Sequence, residues 1–245
     1  FNLILTENKI RSEFPVETQE EAEAFSSRVV YDASTSRVDQ RNLGFVTIDG
    51  KTARDFDDAV FAKSNGDGSW QVYVAIADVA HYVRPGSAID QEAYLRGTSV
   101  YFPTHAIPML PENLSNNLCS LKPDVNRFTL TCEMLIDSTG WVQSYRIYES
   151  VIRSRARLVY DDVAEFLDTG QTRTIRNKEI LDNLIVMNEV AKALQEKRTK
   201  RGAINFNFAE QQIELDDQNQ MVGVSKKFQS KYCLLYTSPS PRDSI

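Results

Sequence analysis

Two kinds of hydrophobic pattern alternate along the chain. β-Branched and aromatic residues gather in short runs at 45–48, 59–62, 70–77, 129–137 and 141–151, which predicts strands, because such side chains fit a pleated, half-buried surface. Ser64-Asn65-Gly66-Asp67-Gly68-Ser69 lies between the second and third runs, and Ser138-Thr139-Gly140 between the last two; both are turn sequences, so each pair reads as a hairpin. The other pattern has helical spacing. Ile180, Leu181, Leu184, Met187, Val190, Ala191 and Leu194 recur along 178–201, which predicts a long helix with one face in the core. Gly202 ends it beside a cluster of Lys and Arg, as a C-cap and the helix dipole prefer. Shorter helices are expected at 160–167 and at 90–96, the latter capped by Asp90 with Glu92 placed early for the dipole. The acidic run from Glu17 to Glu23 has the spacing of one solvated helix face. Strands at 203–208 and 211–215 follow the long helix. The Pro-rich stretch 97–111, which contains Tyr101, is expected to lack regular structure and to belong to the kind of loop that carries binding residues.

Between the first two predicted strands the pattern breaks. Thr47-Ile48-Asp49-Gly50-Lys51-Thr52-Ala53-Arg54-Asp55-Phe56-Asp57-Asp58-Ala59-Val60 places four carboxylates, Asp49, Asp55, Asp57 and Asp58, in one short loop. Gly50 is the residue there that is free to turn at positive φ, which would fold the chain back and bring Asp49 to face Asp57 and Asp58. Carboxylates drawn together raise one another's pKa unless a cation neutralises them. A hard divalent ion does so best, with Mg²⁺ or Mn²⁺ preferred where waters and a phosphate complete the shell. Two plainer readings compete. A calcium EF-hand needs a central Gly and a terminal Glu that are missing from the required places, and strand-like flanks do not suit a helix–loop–helix. A merely solvated loop would be built from Ser, Gly, Lys and Glu rather than carry Phe56 and Ala59 among its acids.

Other charged positions are less specific. Asp78 closes a strand and reads first as a capping or turn carboxylate, with a supporting role near a metal as the alternative. Arg153, Arg155 and Arg157 alternate, so in strand geometry they would project from one side. That stripe is either a solvated basic edge or a phosphate contact. His81 and His105 are isolated and read as surface or loop residues.

Composition narrows the picture. A chain of 245 residues can bury a substantial core. Its formal net charge of −6 is unexpected for a polyanion binder, since such affinity rests on Lys and Arg; either nucleic acid is not the ligand or the basic surface lies elsewhere. Cys119, Cys132 and Cys233 lack metal-ligand spacing and suit a reducing cytoplasm. No apolar run approaches membrane-spanning length, so no membrane partner is expected.

At the acidic loop the chain resembles the ribonuclease R and ribonuclease II family, hydrolytic exoribonucleases built on the RNB catalytic domain. The carrying motifs are the loop itself together with Val74-Ala75-Ile76-Ala77-Asp78-Val79, Arg96-Gly97-Thr98-Ser99-Val100-Tyr101-Phe102-Pro103, Ile107-Pro108-Met109-Leu110-Pro111 and Leu114-Ser115-Asn116-Asn117-Leu118-Cys119-Ser120-Leu121. They are closest to the bacterial ribonuclease R branch, and the likeness runs from about Leu5 to about Lys231. The resemblance implies an α+β fold, a mixed, largely antiparallel curved sheet flanked by helices. It implies processive 3′→5′ degradation of single-stranded RNA to nucleoside 5′-monophosphates by two-metal-ion catalysis with Mg²⁺, Mn²⁺ being possible. By the same likeness Asp49 and Asp58 are direct metal ligands, with Asp57 and Asp55 completing or orienting the shell. Tyr101 and Phe206 match the pair that clamps bases near the 3′ end, and Tyr160 the tyrosine that helps set final product length.

The same resemblance divides the chain into a connector from an upstream domain at 1–44, the N-terminal part of the catalytic domain at 45–231 and a tail at 232–245 that departs from the family and is expected to be foreign. OB-fold RNA-binding domains flank the catalytic domain in the family and are not in this sequence, which accounts for the acidic balance. The piece alone is expected to be feeble or inert, and the full-length protein a cytoplasmic monomer. Two readings from other classes stand beside this one. An RNA-binding pseudoenzyme should have lost metal acids, and a phosphohydrolase of small nucleotides would not need Tyr101 and Phe206.

Overall fold

A computed structural model of the chain describes residues 2–203, 210–216, 218 and 220–227. In chain order the elements are α1 (Asn2–Glu7), α2 (Val16–Glu23), β1 (Val38–Asp39), β2 (Val46–Asp49), β3 (Asp58–Ser64), β4 (Trp70–Ala77), α3 (Val79–Tyr82) and α4 (Ala88–Arg96). The two-residue strands β5 (Val100–Tyr101) and β6 (Ala106–Ile107) come next, then a single wide helical turn, Leu114–Leu118. The remainder is β7 (Asn126–Ile136), β8 (Val142–Arg153), β9 (Ala156–Val159), α5 (Tyr160–Thr169), α6 (Lys178–Lys200), β10 (Glu210–Leu215) and β11 (Met221–Lys227).

Seven strands form the main sheet in the order β1-β8-β7-β4-β3-β2-β9. Its neighbours run antiparallel except for two parallel pairs, β1 with β8 and β2 with β9. This is the α+β class with a mixed, largely antiparallel sheet that the resemblance implies. Alternation along the strands sorts side chains into two cores. Ala59 and Phe61 of β3 meet Phe45, Tyr73, Leu114, Leu118 and Leu121 on one face. Val60 and Ala62 meet Val46, Ile48, Leu184, Met187 and Val190 on the other, beneath α5 and α6.

Several local expectations change. Helix α4 begins two residues before Asp90, because Ser87 is its N-cap and accepts from the Asp90 N–H at 3.2 Å. Glu92 is buried rather than a dipole group at the surface, and binds Arg11 in a two-pronged pair at 2.7 and 2.8 Å and Arg96 at 3.0 Å. The stretch 97–111 contains the small β5–β6 hairpin. In α6, Leu194 turns toward solvent while Asn183 is buried and donates its amide to the Ala62 carbonyl, a polar tie that apolar periodicity cannot register. The acidic helix α2 hides Thr18 and Ala22, and its Glu21 accepts from the Ile89 N–H at 3.0 Å in the first turn of α4.

The three arginines do not share one strand. Strand β8 ends at Arg153, Arg155 lies between β8 and β9 and uses its N–H to bond the Phe45 carbonyl at 2.7 Å, and Arg157, in β9, turns its guanidinium to the Gly50 and Lys51 carbonyls. His81 is not a surface residue either. It lies half-buried between Tyr82 and Phe128, with ring centroids 4.8 Å away in each case. His105 stacks on Phe102 at 5.2 Å. The expected strand at 203–208 falls at 204–208, and the expected tail at 232–245 entirely, outside the described residues.

Candidate active site

Strand ends position the acids. Asp49 is the last residue of β2 and Asp58 the first of β3, and the two strands pair antiparallel at Val46 and Val60. Carried onward, that register lays Asp49 opposite Asp57. On its other side β2 runs parallel to β9 with Asp49 opposite Val159, so Tyr160 follows one residue beyond. The loop between the acids does not turn on a left-handed Gly50, which is absent from the positive-φ glycines. Bracing replaces the tight turn. The Ala53 N–H bonds the Gly50 carbonyl at 3.1 Å, and Arg157 Nη2 donates to the carbonyls of Gly50 at 2.5 Å and Lys51 at 2.9 Å. Farther along, Ser120 Oγ donates to the Arg54 carbonyl at 2.9 Å and accepts from the Phe56 N–H at 3.1 Å. The Leu121 N–H reaches the Phe56 carbonyl and the Ala77 N–H the Asp57 carbonyl, both at 2.8 Å.

Such bracing through peptides holds carboxylates near one another. Burial pushes the Asp49 carboxyl up to about 7, and the charges of Asp58, Asp55 and Asp57 add to that, with Arg157 opposing. Asp49 Oδ2 is buried and has no hydrogen-bond partner. An uncompensated acceptor of this kind is costly and is well matched to a hard cation. Among the described residues no three His, Cys, Asp or Glu side chains are grouped closely enough to enclose an ion. The acids therefore crowd electrostatically without closing a cage, and as a set of oxygen donors they fit a divalent ion that keeps waters or takes a phosphate.

A cleft of about 260 Å³ opens beside Asp55 and Asp57, lined also by Val79, Gly97, Thr98, Ser99, Tyr101, Met109, Leu110, Ser115 and Cys119. Tyr101 stands at it 64% exposed on β5 and donates its hydroxyl to Asp55 Oδ2 at 2.9 Å. Burial and the Asp55 charge push its phenol up to about 12. Tyr160 starts α5 and packs against the core under α5 and α6; it does not line the cleft. Phe206 lies outside the described residues. Asp78 fills its capping role, accepting from the His81 N–H at 3.1 Å and pairing with Arg37 at 2.5 Å. Burial first and then Arg37 push the His81 imidazole down.

Residue-by-residue reading missed Ser120 and Arg157 as braces of the loop and the hydroxyls of Thr98, Ser99 and Ser115 along the cleft. A signal existed for Ser120 in the Leu114-to-Leu121 motif. None existed for its partner, because residues 64 positions apart meet only through the fold.

Fold and site together define an α+β domain with a carboxylate loop at its strand ends, opening on an aromatic-edged cleft. The chain belongs to the RNB domain family, whose pattern matches residues 37–238. It is 46% identical over 203 residues to ribonuclease R of Vibrio parahaemolyticus, covering 83% of this chain and 24% of that protein. Against ribonuclease R of Escherichia coli K12 the identity is 42% over 209 residues, covering 85% and 26%. A solved structure of Mycoplasma genitalium RNase R with ribose-methylated single-stranded RNA superposes with a TM-score of 0.87 at 31% identity, covering 96% of this chain and 36% of that one. The chain thus spans about a quarter of the length of these curated relatives.

Proposed function

We propose that this chain carries the catalytic loop of a hydrolytic, processive 3′→5′ exoribonuclease that degrades single-stranded RNA to nucleoside 5′-monophosphates, working as a monomer in the cytoplasm. One observation carries the reading: the buried, unsatisfied Asp49 oxygen lies among three further carboxylates in the loop that lines the Tyr101 cleft. The RNA held by the Mycoplasma relative supports the substrate class. Three cysteines without metal-ligand spacing suit a reducing compartment.

Asp49 and Asp58 would hold Mg²⁺, or Mn²⁺, with Asp55 and Asp57 completing or orienting the shell. Ions bound there supply Lewis-acid stabilisation of the charge that develops at phosphorus. The remaining work falls to the chain. Tyr101 offers an exposed ring on which a terminal base can stack regardless of its identity, and Phe206 is proposed as the other half of that clamp. Tyr160 is proposed to limit how short a product can be held. The hydroxyl of Tyr101 fixes one Asp55 oxygen, and Val79, Met109 and Leu110 give the same cleft apolar lining.

Incubating the chain with Mg²⁺ and 5′-labelled single-stranded RNA tests the reading. Slow, Mg²⁺-dependent loss of nucleotides from the 3′ end, abolished in Asp57→Asn, is expected. Internal cuts, or turnover indifferent to Mg²⁺, would overturn it.

A further inference from the structure

The Leu114-to-Leu121 motif contributes no charged group to the site, yet its last residues bond the acid loop on both sides of Asp55. Ser120 is fully buried, at 0% exposure. Its hydroxyl joins the Arg54 carbonyl and the Phe56 N–H, the two peptides that flank Asp55. The next N–H, that of Leu121, takes the Phe56 carbonyl, one residue before Asp57. Three hydrogen bonds thus hold the backbone on either side of Asp55 without engaging its carboxylate.

Behind this contact stands a buried cation. Arg127 is 3% exposed, and its Nε donates to the Ser120 carbonyl at 2.9 Å while Nη2 donates to Asn117 Oδ1 at 2.9 Å. A guanidinium forks rigidly and keeps its charge at all ordinary pH. It therefore locks the wide turn that presents Ser120, and the turn locks the loop. Tyr101 holds one Asp55 oxygen, so backbone and side chain of the same acid are each fixed by a separate hydroxyl.

We propose that Ser120 is a positioning residue of the cation site: its hydroxyl, seated by Arg127, sets where Asp55 and Asp57 stand. This deepens the metal-site reading and rests on it. Groups behind a metal's own ligands typically change affinity 10- to 100-fold when removed, whereas a buried serine that merely packs changes stability alone.

The test uses Ser120→Ala in the full chain, with Mn²⁺ binding followed by the paramagnetic resonance signal of the free ion. The variant is expected to bind Mn²⁺ roughly 10-fold or more weakly, while its metal-free thermal midpoint stays within about 4 °C of wild type. Equal Mn²⁺ affinity in a folded variant would overturn the positioning role and leave the metal site standing. Absence of Mn²⁺ binding by the wild type would overturn the metal site and this proposal with it. Amide exchange in the wild type gives an answer even if the variant unfolds. The Phe56 N–H should exchange slowly without metal, and fast exchange there would also refute the clamp.

Discussion

Asp49 concentrates the electrostatic cost of the site. Its carboxyl is raised from an ordinary value of 3.8 to about 7, so the folded chain keeps a proton between those values that the unfolded chain releases. This group favours folding fully below about pH 4, and that contribution is lost as pH climbs through 7. Metal-free wild type should therefore lose thermal stability between about pH 4 and 7 relative to Asp49→Asn, and the difference should level off above 7, as read by melting both across that window. A difference that does not vary with pH would contradict the raised pKa. Tyr101 separates two contributions in the same way. Tyr101→Phe keeps the stacking ring and loses only the bond to Asp55, so RNA affinity measured by fluorescence anisotropy in EDTA should hold. Tyr101→Ala should weaken it by about 1–3 kcal/mol per stacked base. Of the site residues, the four acids were legible because charge is conspicuous in an apolar strand pattern. Ser120 was not, because a serine in a loop looks alike whether it is solvated or holds a buried peptide.

Glycines show how elements lean on one another. Gly140, in the turn between β7 and β8, has φ +77°, and a Cβ there would run into the Ala193 carbonyl of α6. Gly140→Ala should cost about 2 kcal/mol or more, visible as a lowered urea midpoint. Gly50→Ala is the contrast. That position lacks positive φ, and a Cβ would meet nothing within 4 Å, so stability should stay within about 0.5 kcal/mol. The turn signal at 138–140 was readable from sequence, while the reason for its glycine was not, since it depends on a helix some 50 residues later that happens to pack there. Helix α6 itself was readable in type and extent. Its start adds a check: Asn177 accepts from the Glu179 N–H at 2.9 Å, and Asn177→Ala should lower stability by about 1 kcal/mol in the same urea titration.

The sheet is unevenly covered. Ile76 pairs with Leu130 and Cys132 with Ile147 across β4, β7 and β8, on the face that α6 covers over β3. Ile76 is 46%, Leu130 45% and Ile147 58% exposed, a contiguous apolar strip of the kind that promotes association. Ile147→Lys should leave the thermal midpoint nearly unchanged and reduce self-association at high concentration in sedimentation velocity. No helix among the described residues is long and apolar enough to cross a membrane. What the sequence determined by itself is local or carried by motif. Strand and helix types follow from the period of apolar residues, the acid loop from its density of charge, and the family from runs of residues with fixed spacing. Tertiary structure decided which distant groups meet. It sent Arg157 to the loop rather than to a phosphate stripe, put Tyr101 on Asp55, buried Asn183 against β3 and replaced a glycine turn with Ser120. The physical reason is that a hydrogen bond or a Coulomb interaction acts over a few ångströms in space, and only the folded path of the chain sets those distances.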